Sequence, residues 1–369
     1  MTFPAVLLFH SPTLSNLALR TNLNGNRRDN TMSLTIKDIA QMAGVSRSTV
    51  SKVINNYGEI SEMTRKKVMT VINEMGYAPN FSARSLATKK SSLIGLIYAG
   101  KVNVDMTHPY FNEVISTFKK NIGLLGYDIL MFSNEQFQGS YLARCKHFNV
   151  DGCLIIAGEE VEDATFELAE SGFPCIGIDI ELAGPKASYI MTDNVNLSRK
   201  VIEHFYLNSL RKIGYIGGMS ESVISNLRLK GFRDAMNQFG LEISEDWIQY
   251  GDFHEESGYA AMKRILELKD YPEAVFAASD LMALGAIRAI KETGLHTPKN
   301  IRIVGCDDIA ACRYSDPKLT TVKQDKEKIG KLSAFMLNDL IEGKSKLKPV
   351  FTDSEIIVRE SCGTLKGIR

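Results

Sequence analysis

Two sets of residues carry the chemistry in this sequence. The first is local. Arg47, Ser48, Ser51, Lys52 and Asn55 fall on one face at helical spacing, all can donate hydrogen bonds and none is acidic. Such a face suits DNA, whose base edges and phosphates are rich in acceptors. The second set is scattered at the ends of short apolar runs: Asp179, Ser279-Asp280 and Cys306-Asp307-Asp308, with His108-Pro109-Tyr110-Phe111, Arg228 and Phe253 in nearby loops or helix starts. Gathered in one place, these would offer carboxylate acceptors, a guanidinium fork and aromatic faces. Catalysis is not indicated. There is no G-x-S-x-G elbow, no H-E-x-x-H and no Walker lysine, and Gly214 to Gly218 has neither phosphate-loop nor dinucleotide spacing.

The first set needs two short helices to hold it. Ile36, Ile39, Ala40 and Ala43 share one helical face, Gly44 can take the positive φ of a sharp turn, and Val45 can plug the angle between the helices. Ser46 is a natural N-cap for a second helix whose inner face is Val50, Val53 and Ile54. This is the helix-turn-helix pattern, in which the second helix enters the major groove. A third helix is expected from Ser61 to Met75, with Val68, Val71, Ile72 and Met75 inward and Arg65, Lys66 and Lys67 outward. Residues 34–90 hold nine basic and four acidic side chains, although the whole chain carries a net charge of only +1. A basic head on an acidic body suits a polyanion-binding module joined to something that is not one.

Beyond Gly76-Tyr77-Ala78-Pro79-Asn80 comes a short helical stretch, Phe81 to Thr88, too short to be stable alone. The Thr35–Asn56 motif, Gly76-Tyr77-x-Pro79-Asn80, Ala83-Arg84-Ser85-Leu86 and a strand beginning Ile94-Gly95-Leu96-Ile97 together resemble the LacI/GalR family of bacterial transcription regulators. The resemblance runs from about Leu34 to Cys362. It implies a hinge helix that pairs with its dimer mate in the minor groove, with Leu86 wedged between base pairs and Ala83 packed beside it. It also implies that Asp179, Arg228, Phe253, Ser279 and Asp307 contact an effector, a reading extended to Tyr110 and Phe111. For DNA, Arg47, Ser48 and Lys52 are expected at base edges, and Thr35, Ser46 and Asn55 at phosphates.

From Ser92 onward, apolar runs alternate with helical stretches, as in parallel sheets covered by helices. Two such sets imply two lobes. The expected fold is therefore an N-terminal all-α helix-turn-helix headpiece followed by an α/β body resembling periplasmic binding proteins, built of two parallel-sheet lobes. The expected boundaries are an extension over 1–33, a headpiece over 34–79, a hinge over 80–91 and a body over 92–369. Within the body, lobe 1 takes about 92–191 and 323–353, and lobe 2 about 192–322 and 354–362. Met32 stands directly before the motif, and residues 1–33 read as a disordered or mis-assigned extension with no basic n-region for a signal peptide.

The expected partners are a double-stranded operator, a second copy of the chain and a sugar or sugar derivative. Repression is the expected sense and the cytoplasm the expected location. No cofactor, metal or membrane is called for. The six cysteines form no C-x-x-C pair, no stretch of 18 apolar residues exists, and the C-terminus has no leucine heptads for a tetramer. Against the family pattern, Ser279 replaces a frequent Asn, Cys306 an aromatic, and Lys326 an apolar or aromatic residue. A Lys326 reaching the cleft would favour an anionic sugar. The rivals are a solute receptor, which should carry an export signal, and an architectural DNA protein, which needs no ligand cleft. A regulator using a phosphoprotein corepressor is a third variant.

Overall fold

The computed structural model describes residues 34–55, 58–77, 90–99, 108–132, 140–157, 161–220, 222–344 and 346–363. The stretch holding Ala83 and Leu86 lies outside them. The chain divides into two compact units, residues 1–80 and 81–369.

The first unit contains α1 (Ile36–Ala43), α2 (Arg47–Ile54) and α3 (Glu62–Glu74). Helix α1 stops because Gly44 turns left-handed at φ 59°, returning its N–H to the last carbonyls of the helix. Ser46 then caps α2 by accepting from the Thr49 N–H, and Ser61 caps α3 by accepting from Thr64. The inward stripes meet as one core of Ile39, Ala40, Ala43, Val50, Val53, Val68 and Ile72, with Val45, Ile54 and Val71 packed around it. Met75 departs from the expected inner stripe and is 40% exposed, because α3 ends before it and the chain turns away.

The body begins β1 (Leu93–Ala99), α4 (Pro109–Leu124), β2 (Asp128–Met131), α5 (Tyr141–His147), β3 (Gly152–Ala157), α6 (Asp163–Glu170), β4 (Cys175–Ile178) and β5 (Ala187–Thr192). It continues with α7 (Asn194–Leu207), β6 (Ile213–Gly217), α8 (Val223–Gln238), β7 (Ile248–Tyr250), α9 (Glu255–Leu266), β8 (Ala274–Ala277), α10 (Asp280–Glu292) and β9 (Arg302–Cys306). Last come β10 (Thr320–Gln324), α11 (Lys326–Ile341), β11 (Val350–Thr352) and β12 (Ser354–Ile357). Two six-stranded sheets result, in the orders β11-β5-β4-β3-β1-β2 and β12-β10-β9-β8-β6-β7.

The chain passes from one lobe to the other three times, between β5 and α7, between β10 and α11, and between β11 and β12. The first sheet is parallel throughout. The second is parallel except at its edge, where β12 runs antiparallel to β10. Central strands such as β4 and β8 are buried at every position, as helices on both sheet faces require. Helix α11 returns to the first lobe, where Ile329, Ala334, Leu337 and Leu340 join the core formed by α4, β1 and β3. Strands β5, β7, β11 and β12 carry no clear sequence signal. In β5 the reason is visible: Ser188 and Thr192 are buried, so polar residues interrupt the apolar run that marks its neighbours.

Candidate functional site

In the headpiece, the outer face of α2 begins with Arg47 and Ser48, both exposed. Among the described residues Arg47 has no hydrogen-bond or ion-pair partner. The others are already engaged. Ser46 Oγ accepts from Thr49 N at 3.1 Å and lies 2.7 Å from Ser48 Oγ. Lys52 Nζ donates to Glu59 at 2.9 Å, and that contact holds the Glu59 carboxyl below its ordinary pKa. Asn55 follows the last turn of α2 and donates to the Ser51 carbonyl at 2.9 Å. Thr35 gives its N–H and hydroxyl to Asp38, at 2.8 and 2.7 Å. A DNA backbone would therefore exchange with these contacts, whereas Arg47 is presented ready-made.

In the body, the candidate effector residues gather where α/β sheets ordinarily bind ligands, outside the carboxyl ends of the strands. Asp179 follows β4 and Tyr110 lies in the first turn of α4, both in the first lobe. Arg228 lies in α8 and Asp307 follows β9, both in the second. All four are buried, at 6%, 3%, 4% and 3% exposure. Burial pushes the Asp179 carboxyl up to about 6, against the pull of the Arg228 charge and the neighbouring Tyr110 hydroxyl, while the Asp307 charge adds to the rise. Tyr110 is likewise raised, mainly by burial and then by Asp179 and Asp307. These four side chains from two lobes thus share one electrostatic environment.

Each group is held in place. Arg228 donates from Nε to Asn194 Oδ1 at 2.8 Å and from Nη1 to the Ala278 carbonyl. Among the described residues its Nη2 has no protein acceptor, which leaves one edge of the fork for a ligand. Asp307 accepts from Gln324 Nε2 at 2.7 Å. Phe253 lies over Gly218, where a Cβ would strike the ring, so that glycine is what admits the aromatic face. Ser279 is the N-cap of α10, accepting from Met282 N at 3.1 Å, and its hydroxyl donates to the Phe253 carbonyl at 2.8 Å. Phe111 packs on the first-lobe core beside Tyr110 and His108, with ring centroids 5.0 and 5.5 Å apart. Across the cleft, the rings of His108 and His254 meet edge-on at 5.9 Å. Asp179, Phe253, Asp307 and Asp308 all adopt positive φ, at 59°, 68°, 124° and 51°. Non-glycine residues hold such angles only where the surroundings impose them, and they concentrate at ligand clamps.

The cap of α10 is Ser279 and not the neighbouring strand-end carboxylate Asp280. Asp280 is fully buried, accepting from Ile309 N at 2.9 Å and from the Thr321 hydroxyl at 2.5 Å. Burial and the Asp307 charge push its carboxyl well up. Lys326 does not offer a charge to a ligand. Its ammonium donates to Glu113 Oε1 at 3.1 Å and to the carbonyls of Asp307 and Asp308 at 2.9 and 3.0 Å, which uses all three of its protons. Sequence reasoning missed Asn194, Gln324 and Glu113. Asn194 opens the helix after β5, the strand whose polar residues hid it, and the other two acquire meaning only from partners 17 to 213 positions away.

Comparison with known proteins places the chain. Residues 35–80 match the model of bacterial regulatory proteins, lacI family, and residues 202–362 match a periplasmic binding protein-like domain. The HTH-type transcriptional repressor PurR of Photobacterium profundum is 33% identical over 332 residues, covering 89% of this chain and 98% of the relative.

The chain belongs to the lacI family of bacterial regulatory proteins.

It is a DNA-binding transcriptional regulator, and the family is not one of enzymes. Among solved structures, the lac repressor dimer bound to operator and the anti-inducer ONPF superposes with a TM-score of 0.76 at 27% identity, covering 90% of this chain and 99% of that one. The complex of the regulator CelR with cellobiose gives a TM-score of 0.66 at 29% identity, covering 89% and 99%. The fold of this regulator thus recurs in one protein solved with operator and an anti-inducer together and in another solved with cellobiose. No helix among its described residues is long and apolar enough to cross a membrane.

Proposed function

We propose that this regulator is a cytoplasmic repressor that binds a near-palindromic operator as a homodimer and is switched by a small neutral sugar in the cleft. Helix α2 takes one major-groove half-site, with Arg47, Ser48 and Lys52 at base edges and Thr35, Ser46 and Asn55 at phosphates. Ala83 and Leu86 enter the minor groove between the half-sites. Headpiece, hinge and body follow the boundaries 34–79, 80–91 and 92–369. In the cleft, Asp179 and Asp307 accept from sugar hydroxyls, Arg228 donates from Nη2, and Phe253 covers the apolar face of the ring. Tyr110 adds a hydroxyl beside Asp179, Phe111 supports that wall, and Ser279 fixes Phe253 by its carbonyl.

The observation that carries this reading is the juxtaposition of Tyr110 and Asp179 with Arg228 and Asp307. Buried acceptors and a half-used guanidinium from opposite lobes cost free energy unless a ligand bridges them. Neutrality follows from Lys326, whose protons are all taken within the protein, and from two carboxylates that would repel an anion. A lac repressor complex carries ONPF and the CelR complex carries cellobiose, which supports the choice of a saccharide.

The test is thermal stabilisation of the full chain across a panel of neutral mono- and disaccharides and their phosphorylated or carboxylated counterparts. A ligand bound only by the folded state raises the melting temperature, the more so the tighter it binds. Stabilisation by at least one neutral sugar, and by none of the anionic forms, is expected. Stabilisation by anionic sugars alone would contradict the reading.

A further inference from the structure

We propose that Lys326 is a positioning residue that ties the angle between the lobes to the placement of Asp307 in the cleft. The inference rests on the cleft reading above and adds to it a residue that touches no ligand.

Lys326 begins α11, directly after the chain has crossed from β10 in the second lobe to the first. It is 7% exposed. An ammonium so buried is tolerated only when paired and fully hydrogen-bonded. Its pairing straddles the lobes. Glu113 belongs to α4, packed against α11 in the first lobe, while the carbonyls of Asp307 and Asp308 belong to the loop after β9 in the second. The ammonium is the point at which that loop is held to the first lobe.

The loop is an unusual one to hold. Asp307 and Asp308 both have positive φ, at 124° and 51°. Each uses its side chain as well as its carbonyl. The Asp307 carboxylate takes Gln324 and faces Arg228 and Asp179, while Asp308 is bound by Arg359 at 2.5 Å, with Arg313 at 3.9 Å. Removing the ammonium would leave two adjacent carbonyls without their donor and release the backbone they fix. The carboxylate that a ligand would pull on and the carbonyl that ties the lobes together belong to the same residue. Ligand binding and lobe rotation are then mechanically one event, which is what a switch between two lobe arrangements requires.

Hydrogen–deuterium exchange on the full-length, ligand-free protein tests this, with Lys326→Met, Lys326→Arg and Glu113→Gln as variants. Lys326→Met should accelerate exchange about tenfold in 306–309 and also in the three crossings at 192–194, 324–326 and 352–354, since local opening sets the exchange rate. Small-angle scattering should show a changed shape for the same variant. Lys326→Arg should restore most of the protection. Should Lys326→Met not fold, Glu113→Gln is the milder probe, which should accelerate exchange at the same four places to a smaller degree. Acceleration confined to 306–309, with the crossings and the scattering unchanged, would reduce Lys326 to a local support and overturn the proposal. No saccharide is needed, so a failed sugar panel would count against the cleft reading alone.

Discussion

The two functional regions of this regulator are built on opposite principles. The proposed reading face of α2 lies on the surface, its residues fall within nine positions of one another, and its donors are unengaged or lightly held. The cleft is buried, its residues come from positions 110 to 326, and side chains such as Arg228, Ser279 and Asp307 are already anchored by protein partners while Arg228 keeps one edge of its fork open. The first leaves its energy to be gained on contact with a partner. The second fixes its geometry beforehand, so that a ligand meets groups that need not reorganise. Each design suits its task. DNA brings a high density of charge and acceptors and can displace weak surface contacts, whereas a small neutral molecule can gain affinity only from prearranged groups.

The largest expected effect breaks the cleft and spares the headpiece. Arg228→Leu removes the buried guanidinium whose charge acts on Asp179 and Asp307 and leaves both carboxylates without it. Loss of a partner in a buried charge network costs about 3–5 kcal/mol, so urea denaturation of the full chain should show the body destabilised by that order. A change below 1 kcal/mol would mean that the carboxylates are not electrostatically bound to the guanidinium.

The next prediction concerns pH. Burial raises Asp179 to about 6 and pushes Asp280 up as well. A carboxyl whose folded value lies above its unfolded value adds stability at acid pH and loses it as pH rises through the folded value. The ligand-free body should therefore be less stable at pH 8 than at pH 5.5. For Asp179 alone the loss is on the order of 2–3 kcal/mol from below its unfolded value to pH 8, of which roughly 0.8 kcal/mol falls between pH 5.5 and pH 8, since each unit is worth about 1.4 kcal/mol. His204, lowered by burial, acts in the opposite sense on the acid side. Melting curves between pH 5.5 and pH 8 check the slope, and Asp179→Asn should flatten it. Unchanged slopes in the variant would remove Asp179 from the account.

The headpiece should respond in the reverse pattern. Arg47→Ala should cost about 1–3 kcal/mol of operator binding, as a bidentate guanine contact does, with melting temperature unchanged. Anisotropy titrations at fixed salt measure it. A variant that binds as well as the parent would move the reading role elsewhere on α2. The smallest effect is expected of Ser46→Ala. It removes a helix cap worth about 0.5–2 kcal/mol and should loosen α2 without touching the cleft, visible as faster amide exchange at Thr49 and Val50.

The same contrast explains what could be read from the sequence. Thr35 to Asn55 declares itself because its core, turn glycine, cap and outer face all lie within one short window. Asp179, Ser279 and Asp307 are legible as strand-end residues, since each ends a recognisable apolar run. Their supports are not. Asn194 follows a strand masked by buried Ser188 and Thr192. Gln324 and Glu113 are ordinary polar residues until the lobes bring Asp307 and Lys326 to them. Lys326 itself is visible in the sequence with the wrong role: a cation near the cleft suggests an anionic ligand, and only its three acceptors reveal a structural one.

The central claim is that α2 reads sequence through Arg47, and genome-wide footprinting of the wild type beside Arg47→Ala tests it most directly. The account predicts wild-type sites sharing an inverted repeat, with selection for one base pair in each half-site relaxed in the variant. Occupancy that follows no recurring sequence, or an Arg47→Ala footprint identical to that of the wild type, would contradict it.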